Sequence, residues 1–383
     1  MLKKLTDNAV FRFIKGFVKK NAVMVIAFFA AVITMFLVPP DEAYLGYFDF
    51  KTLTCLFCVL AVVCALRNIR FFYALARRVI RLFKNARLSV LALVYITFIG
   101  SMLIANDMAL LTFLPLGFFV LSSTRKEKYM AFTFIMQNIA ANLGGMLTPF
   151  GNPQNLYLYT KFQIPNAEFV KIMALPFAFS VVLITICCLI FVKPEPLQIS
   201  DEKIHMPPMK TTVYLLLFAL SIAIVFRGIP YWIGLIVIPL VLFVLDRKAL
   251  SEVDYPLLFT FVFFFIFAGN MGRIEAVRQF FAGLLQKNTF LVSVISCQFI
   301  SNVPSAVLLS QFIQPENYPA LLVGVNIGGV GTLIASLASL ITFREYVKNN
   351  PGKTIRYVGE YTLFNFGFLL ALVGIMLLVY LIA

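Results

Sequence analysis

The stretch SMLIANDMALLTFLPL (Ser101 to Leu116) sets Asn106 and Asp107 inside a long apolar run, and FISNVPSAV sets Ser301 and Asn302 in a similar one. Downstream of the first lies NLGGMLTPFGNPQNL (142–156), with Thr148, Asn152 and Asn155. Downstream of the second lies NIGGVGTLIASLASL (326–340), with Thr332, Ser336 and Ser339. These side chains offer neutral oxygens and one carboxylate, a set that suits ion coordination. An Asp at the centre of a membrane helix costs about 2.5–3.5 kcal/mol on insertion scales, so Asp107 needs a compensating partner. These stretches contain no Lys or Arg, which leaves a bound cation or a proton. Asp107 is then a Na⁺ ligand, or it is protonated and released as the site alternates. The alternative is a carboxylate that caps the helix following it.

Composition says where these residues must sit. Of 383 residues 61% are hydrophobic and 13% charged, whereas a soluble domain keeps about a quarter charged. Several segments reach the ~20 apolar residues that cross a bilayer, so the chain reads as an all-α polytopic membrane protein. The net charge of +15 does not imply nucleic acid, because the basic residues fall in short segments between apolar runs. The basic amphipathic start, Met1–Lys20, leads into a full-length span with no small-residue cleavage site, so no cleaved signal is expected. The six cysteines lie in apolar segments, and the pair Cys55 and Cys58 has no His or second CxxC near it, so all read as apolar filler. The single histidine, His205, falls in a polar loop. No cofactor is expected beyond Na⁺ or H⁺ as coupling ion.

The basic residues also orient the chain. With the N-terminus cytoplasmic, 25 of the 32 Lys and Arg fall in the inside segments 1–20, 66–87, 122–128, 193–210, 246–255 and 344–357. That count requires two apolar segments, 88–121 and 289–313, to be re-entrant hairpins. The first would turn between two short helices at Asn106-Asp107, the second near ISNVPSAV. Irregular backbone at membrane depth survives only inside protein or beside an aqueous cavity, so both tips point to a site. Nine crossings and two opposed hairpins follow, with the C-terminus outside. The amphipathic stretches FYALARRVIRLFKN (72–85) and RIEAVRQFFAGLLQKN (273–288) read as interfacial helices ahead of each hairpin.

The stretches 142–156 and 326–340 align without gaps, with Asn142/Asn326, Gly144/Gly328, Gly145/Gly329, Thr148/Thr332 and Leu156/Leu340 identical. The order of hairpin, interrupted span and further span recurs, and the inferred topology inverts the second copy. Inverted repeats with discontinuous helices are a secondary-transporter architecture, with the site near the midplane. Gly144, Gly145 and Gly151 with Pro149 and Pro153 in one copy, and Gly328, Gly329 and Gly331 in the other, free backbone groups that can bind ions. The expected sites are Asn106, Thr148, Asn152 and Asn155 around one cation, and Ser301, Asn302, Thr332, Ser336 and Ser339 around a second. Na⁺ would lie by Asn106, Asp107, Asn152 and Asn302. Val303 and Leu337 remove polar groups from the second position.

At these motifs the chain resembles the ion transporter superfamily, which includes arsenite permeases, sodium/proton antiporters and divalent anion/sodium symporters. ANDMALLTFLP and SNVPSAVLL resemble the hairpins of its arsenite-permease and citrate-transporter-like branch, and GGMLTPFGNPQNLYLY resembles its broken helix. The resemblance implies that tips and broken helices bind sodium and substrate. It also implies an elevator motion against a dimeric scaffold. Where dicarboxylate symporters carry Ser-Asn-Thr at both tips, this chain has Ala105-Asn106-Asp107 and Ser301-Asn302-Val303. Two hydroxyls are missing and one carboxylate is gained.

The expected division is 1–87 scaffold and interfacial helix, 88–170 first hairpin and broken helix, 171–288 scaffold with the second interfacial helix, 289–343 second hairpin and broken helix, and 344–383 C-terminal helix. The expected function is secondary transport of a small anion or oxyanion across the cytoplasmic membrane, coupled to Na⁺ or H⁺, by a homodimer in the lipid bilayer. A Na⁺/H⁺ antiporter using Asp107 and a passive channel are the alternatives. A membrane enzyme has no catalytic constellation behind it.

Overall fold

A computed structural model describes residues 16–18, 21–197 and 207–382, and among them there is no strand. Most of Met1–Lys20, and His205, lie outside the described residues. In chain order the helices are α1 (Ala22–Leu37), α2 (Phe50–Asn68), α3 (Phe71–Ile80), α4 (Ala86–Ile104), α5 (Asn106–Ser123), α6 (Met130–Gly144), α7 (Pro153–Lys161), α8 (Asn166–Phe191) and α9 (Pro208–Val225). They continue with α10 (Tyr231–Leu245), α11 (Arg247–Ser251), α12 (Tyr255–Arg273), α13 (Glu275–Ile300), α14 (Asn302–Leu309), α15 (Tyr318–Ile327), α16 (Leu337–Asn349) and α17 (Thr354–Ile382). Eight helices among the described residues are long and apolar enough to cross a membrane, with α1 and α10 shorter apolar helices.

Helix starts follow local chemistry. Asp49, Asn85, Asp254 and Ser336 each accept a hydrogen bond from a first-turn amide of α2, α4, α12 and α16, satisfying donors that a helix start leaves free. Burial separates two kinds of helix. α2 is apolar almost all round and buried over most of its length, as a central helix must be. In α9, α10 and α17 the exposed residues Leu216, Leu240 and Leu363 face outward, where acyl chains replace water.

The chain reverses at both expected tips. α4 and α5 reverse at Ala105, and the second part of α13 reverses into α14 at Ser301. The bases of the first hairpin lie together on one short segment. Glu195 accepts Lys126 (2.7 Å), Lys128 and the Tyr129 hydroxyl, while its carbonyl accepts the Ala86 amide at 2.7 Å. In the second hairpin, Phe281 before it stacks on Phe312 after it, with centroids 5.0 Å apart.

Of the two stretches expected to be interfacial helices, the first is helical to Ile80 and the second from Glu275, with α13 breaking at Asn288 (φ −165°, ψ 93°). There the Asn288 side chain caps the hairpin arm by accepting the Leu291 amide at 2.9 Å. One expectation fails. The first hairpin is not made of short helices, since α4 has 19 residues and α5 has 18, each about 28 Å at 1.5 Å per residue. By length each arm could span the bilayer core, so arm length does not set the depth of the tip. By contrast α14 has 8 residues.

Candidate functional site

Each tip turns on one residue in the same strained backbone. Ala105 has φ 68° and ψ 150°, Ser301 φ 75° and ψ 158°. A positive φ at a non-glycine residue costs of order 1–3 kcal/mol and persists only where its surroundings enforce it. They do so here in the same way twice. The Asn106 amide donates to the Gly151 carbonyl (3.0 Å), and the Asn302 amide donates to the Ala335 carbonyl (2.9 Å). Asn106 Oδ1 accepts the Asp107 amide, and Asn302 Oδ1 accepts the Val303 amide, both at 2.9 Å. Thr148 donates to the Met102 carbonyl (2.7 Å), and Thr332 donates to the Gln298 carbonyl (3.0 Å). Tip and helix break are thus tied together by one bonding scheme used in both halves of the chain.

The breaks run from Gly144 to Asn152 and from Gly328 to Ser336, where the expected glycines sit. Gly145 lets the chain fold closely: a Cβ there would collide with Asn152 Oδ1. Gly331 has φ +132°, and a Cβ on it would collide with Gln298 Oε1, so the bend requires glycine.

Freed carbonyls must find donors, and the two breaks find them differently. In the first, Asn155 Nδ2 reaches the carbonyls of Gly145, Met146 and Thr148 at 3.2–3.3 Å. In the second, Gln298 from the hairpin arm donates to the carbonyls of Gly328 (2.8 Å) and Val330 (3.2 Å). Thr148 and Asn155 are therefore engaged in holding the break. Ser336 caps α16 and pairs with Ser339 at 2.9 Å.

Buried asparagines join the halves. Asn152 Nδ2 donates to the Asn142 carbonyl (3.1 Å) and Asn326 Oδ1 (3.0 Å), and Asn326 Nδ2 donates to Asn155 Oδ1 (2.6 Å). Asn106 Nδ2 reaches Asn142 Oδ1 at 3.3 Å. Asn138 Nδ2 lies 3.3–3.4 Å from Ser339 Oγ, Tyr361 Oη and Asn365 Oδ1. Sequence reasoning missed Asn138, Gln154 and Gln298, and used Asn142 and Asn326 only as alignment marks. Their asparagine and glutamine types inside apolar helices were the available signal.

Six buried side-chain oxygens of the first unit (88–170) have no hydrogen-bond partner, those of Ser89, Asp107, Thr133, Gln137, Asn152 and Gln154. Of these, Asp107 Oδ1 lies at the tip, and Asn152 Oδ1 and Gln154 Oε1 at the start of α7. Among the described residues of the second unit (289–349), no buried side-chain oxygen is left in this state. Asp107 does not cap α5, whose start takes no side-chain cap. Unsatisfied acceptors in a buried site are costly unless something supplies positive charge or a proton.

Both tips line one cavity of about 1110 Å³, which reaches Asn106, Asp107, Gln154, Ser301 and Asn302. The tip and break stretches hold no basic residue, but the wall of the cavity does. α16 continues to Asn349 and so carries Arg344 and Lys348, and α7 ends in Lys161. Arg344, Lys348 and Arg67 line the same cavity, with Glu252 and Asp254. Arg67 pairs with Glu252 at 3.2 Å and approaches Met108 Sδ at 3.6 Å. The cysteines are all free.

Known proteins are similar to this chain over most of its length. A family model described as citrate transporter matches residues 10–315. An uncharacterized transporter of Methanocaldococcus jannaschii is 33% identical over 297 residues, covering 77% of this chain and 81% of its own length. The inner membrane protein YbiR of Escherichia coli is 29% identical over 283 residues, covering 72% and 74%.

Proposed function

The chain belongs to the citrate transporter family, and from that premise we propose that this transporter moves a small anion or oxyanion across the cytoplasmic membrane, coupled to Na⁺ or H⁺. The observation that carries the reading is Asp107 Oδ1, buried without a donor at a hairpin tip that lines a large cavity. A carboxylate in that position takes up a cation or a proton when the site forms, and gives it up when the site opens. Asn106, Asn152 and the backbone of the first break supply the remaining oxygens. The anion binds between the two tips, where Arg67, Arg344 and Lys348 supply positive charge.

The two hairpin units form inverted repeats, and residues 88–170 with 289–343 move as an elevator against the scaffold of a homodimer. The cavity is lined from 251–257 and 344–348, stretches in or beside the segments that the charge bias assigns to the cytoplasm, so this conformation faces inward. A second reading, a Na⁺/H⁺ antiporter, keeps the same carboxylate and drops the anion. A screen of small anions in proteoliposomes, with Na⁺ and pH gradients imposed separately, decides between them. Anion uptake driven by one gradient supports the first reading; Na⁺/H⁺ exchange with no anion requirement supports the second. Unsaturable, uncoupled flux contradicts both.

A further inference from the structure

The two interfacial helices differ in charge, and the difference assigns a ligand to one of them. Segment 66–87 holds seven basic residues and no acidic one. Within it, α3 buries Phe72, Ala76 and Ile80 against the protein. Its outer side, continued into the next turn, exposes Leu75 and Leu82 together with Arg78. Among the described residues Arg70, Arg78 and Lys84 form no ion pair. The helical stretch 275–287 holds only two basic residues, Arg278 and Lys287, and one acidic residue, Glu275, which pairs with Arg278 at 2.9 Å.

A pocket of about 310 Å³ opens between α3 and α5, lined by Arg67, Arg70, Tyr73, Leu111, Thr112 and Pro115. The Arg70 guanidinium and the Tyr73 phenol stand there beside exposed Leu111, with Arg67, which also pairs with Glu252, at the pocket's inner wall. That is the chemistry of a phosphodiester headgroup at the boundary of its acyl chains. We propose that this pocket holds the headgroup of an anionic phospholipid, with the exposed Arg78 further along α3 adding to the field that attracts it. The assignment goes beyond the transport reading and does not depend on it. Charge complementarity selects the occupant: a zwitterionic lipid would bring its own cation against the arginines, and a free phosphate would leave Leu75, Leu82 and Leu111 uncovered.

The test is native mass spectrometry of the purified full-length protein titrated with phosphatidylglycerol, phosphatidylcholine or inorganic phosphate. Phosphatidylglycerol should be retained in preference to phosphatidylcholine, and millimolar phosphate should not displace it. The double substitution Arg70→Gln with Arg78→Gln should weaken retention about fivefold per arginine, the ratio expected for about 1 kcal/mol per surface cation. Both side chains are exposed, and an unchanged elution volume shows that the variant folds. Arg278→Gln on α13, where the guanidinium is already paired with Glu275, should leave retention unchanged. Equal retention of the two lipids, displacement by phosphate, or equal losses in the Arg70/Arg78 and Arg278 variants would each overturn the assignment.

Discussion

The two hairpin units share a backbone and differ in what their side chains leave unsatisfied. Ala105 and Ser301 turn through nearly the same angles, and the tip asparagines make matching bonds to the breaks. Yet the first unit holds Asp107, Asn152 and Gln154 with partnerless oxygens, while Val303, Ser336 and Gln298 close the second upon itself. Repeated backbone therefore does not mean repeated chemistry. On the proposed function, the first unit holds the charge, while the second shapes the cavity and holds the first in place.

The largest effects should separate the units by cation binding. Asp107→Asn should abolish stabilisation by the coupling ion in a thermal-shift titration, and Asn152→Ala should weaken it about tenfold or more, as expected for losing about 1.4 kcal/mol of ligation. Asn302→Ala should leave that titration largely in place; a loss as complete as that of Asp107→Asn would show that both units bind ions.

Next come the residues that satisfy the breaks. Asn155→Leu and Gln298→Leu each orphan buried carbonyls, at about 1–3 kcal/mol of stability. Both should lower Tm, but only Asn155→Leu should also reduce the ion-dependent increment. Equal effects on that increment would blur the division.

Ser336→Ala removes a helix cap worth about 1 kcal/mol. It should lower Tm by a few degrees with unchanged ion affinity, and a change in affinity would return Ser336 to the coordinating set.

The smallest effect lies at the base of the first hairpin. Hydrogen bonds from Lys126, Lys128 and Tyr129 hold the Glu195 carboxyl down to about 2, below its ordinary 4.5. A depressed carboxyl stabilises the fold above its ordinary value, and that contribution fades as the pH falls toward 2. Tm on acidification through this window should therefore fall slightly less in Glu195→Gln than in the parent. An identical slope would show that the clamp carries no pH dependence.

Much of this was legible in the sequence because glycine, proline and asparagine are costly inside apolar helices and mark where the chain must break. Both hairpins, both breaks and the boundary at Asn288 follow from residue type and from the charge count. The turn residues Ala105 and Ser301 could not be read, because neither type favours positive φ; their conformation is imposed by bonds to residues more than thirty positions away. The employment of Asn155 and Gln298 was hidden for the same reason, as amides with distant carbonyl partners. Arg344 and Lys348 were missed because charge was read as a helix end, whereas α16 carries it along the cavity wall.

The most direct test of a single coupling site is transport in proteoliposomes by the parent chain and by Asp107→Asn and Asn302→Ala, with Na⁺ and pH gradients imposed separately on the substrate found in the screen. The account predicts that Asp107→Asn folds, reconstitutes and loses gradient-driven uptake, whereas Asn302→Ala keeps its dependence on the gradient. Full, normally coupled uptake by Asp107→Asn would contradict it.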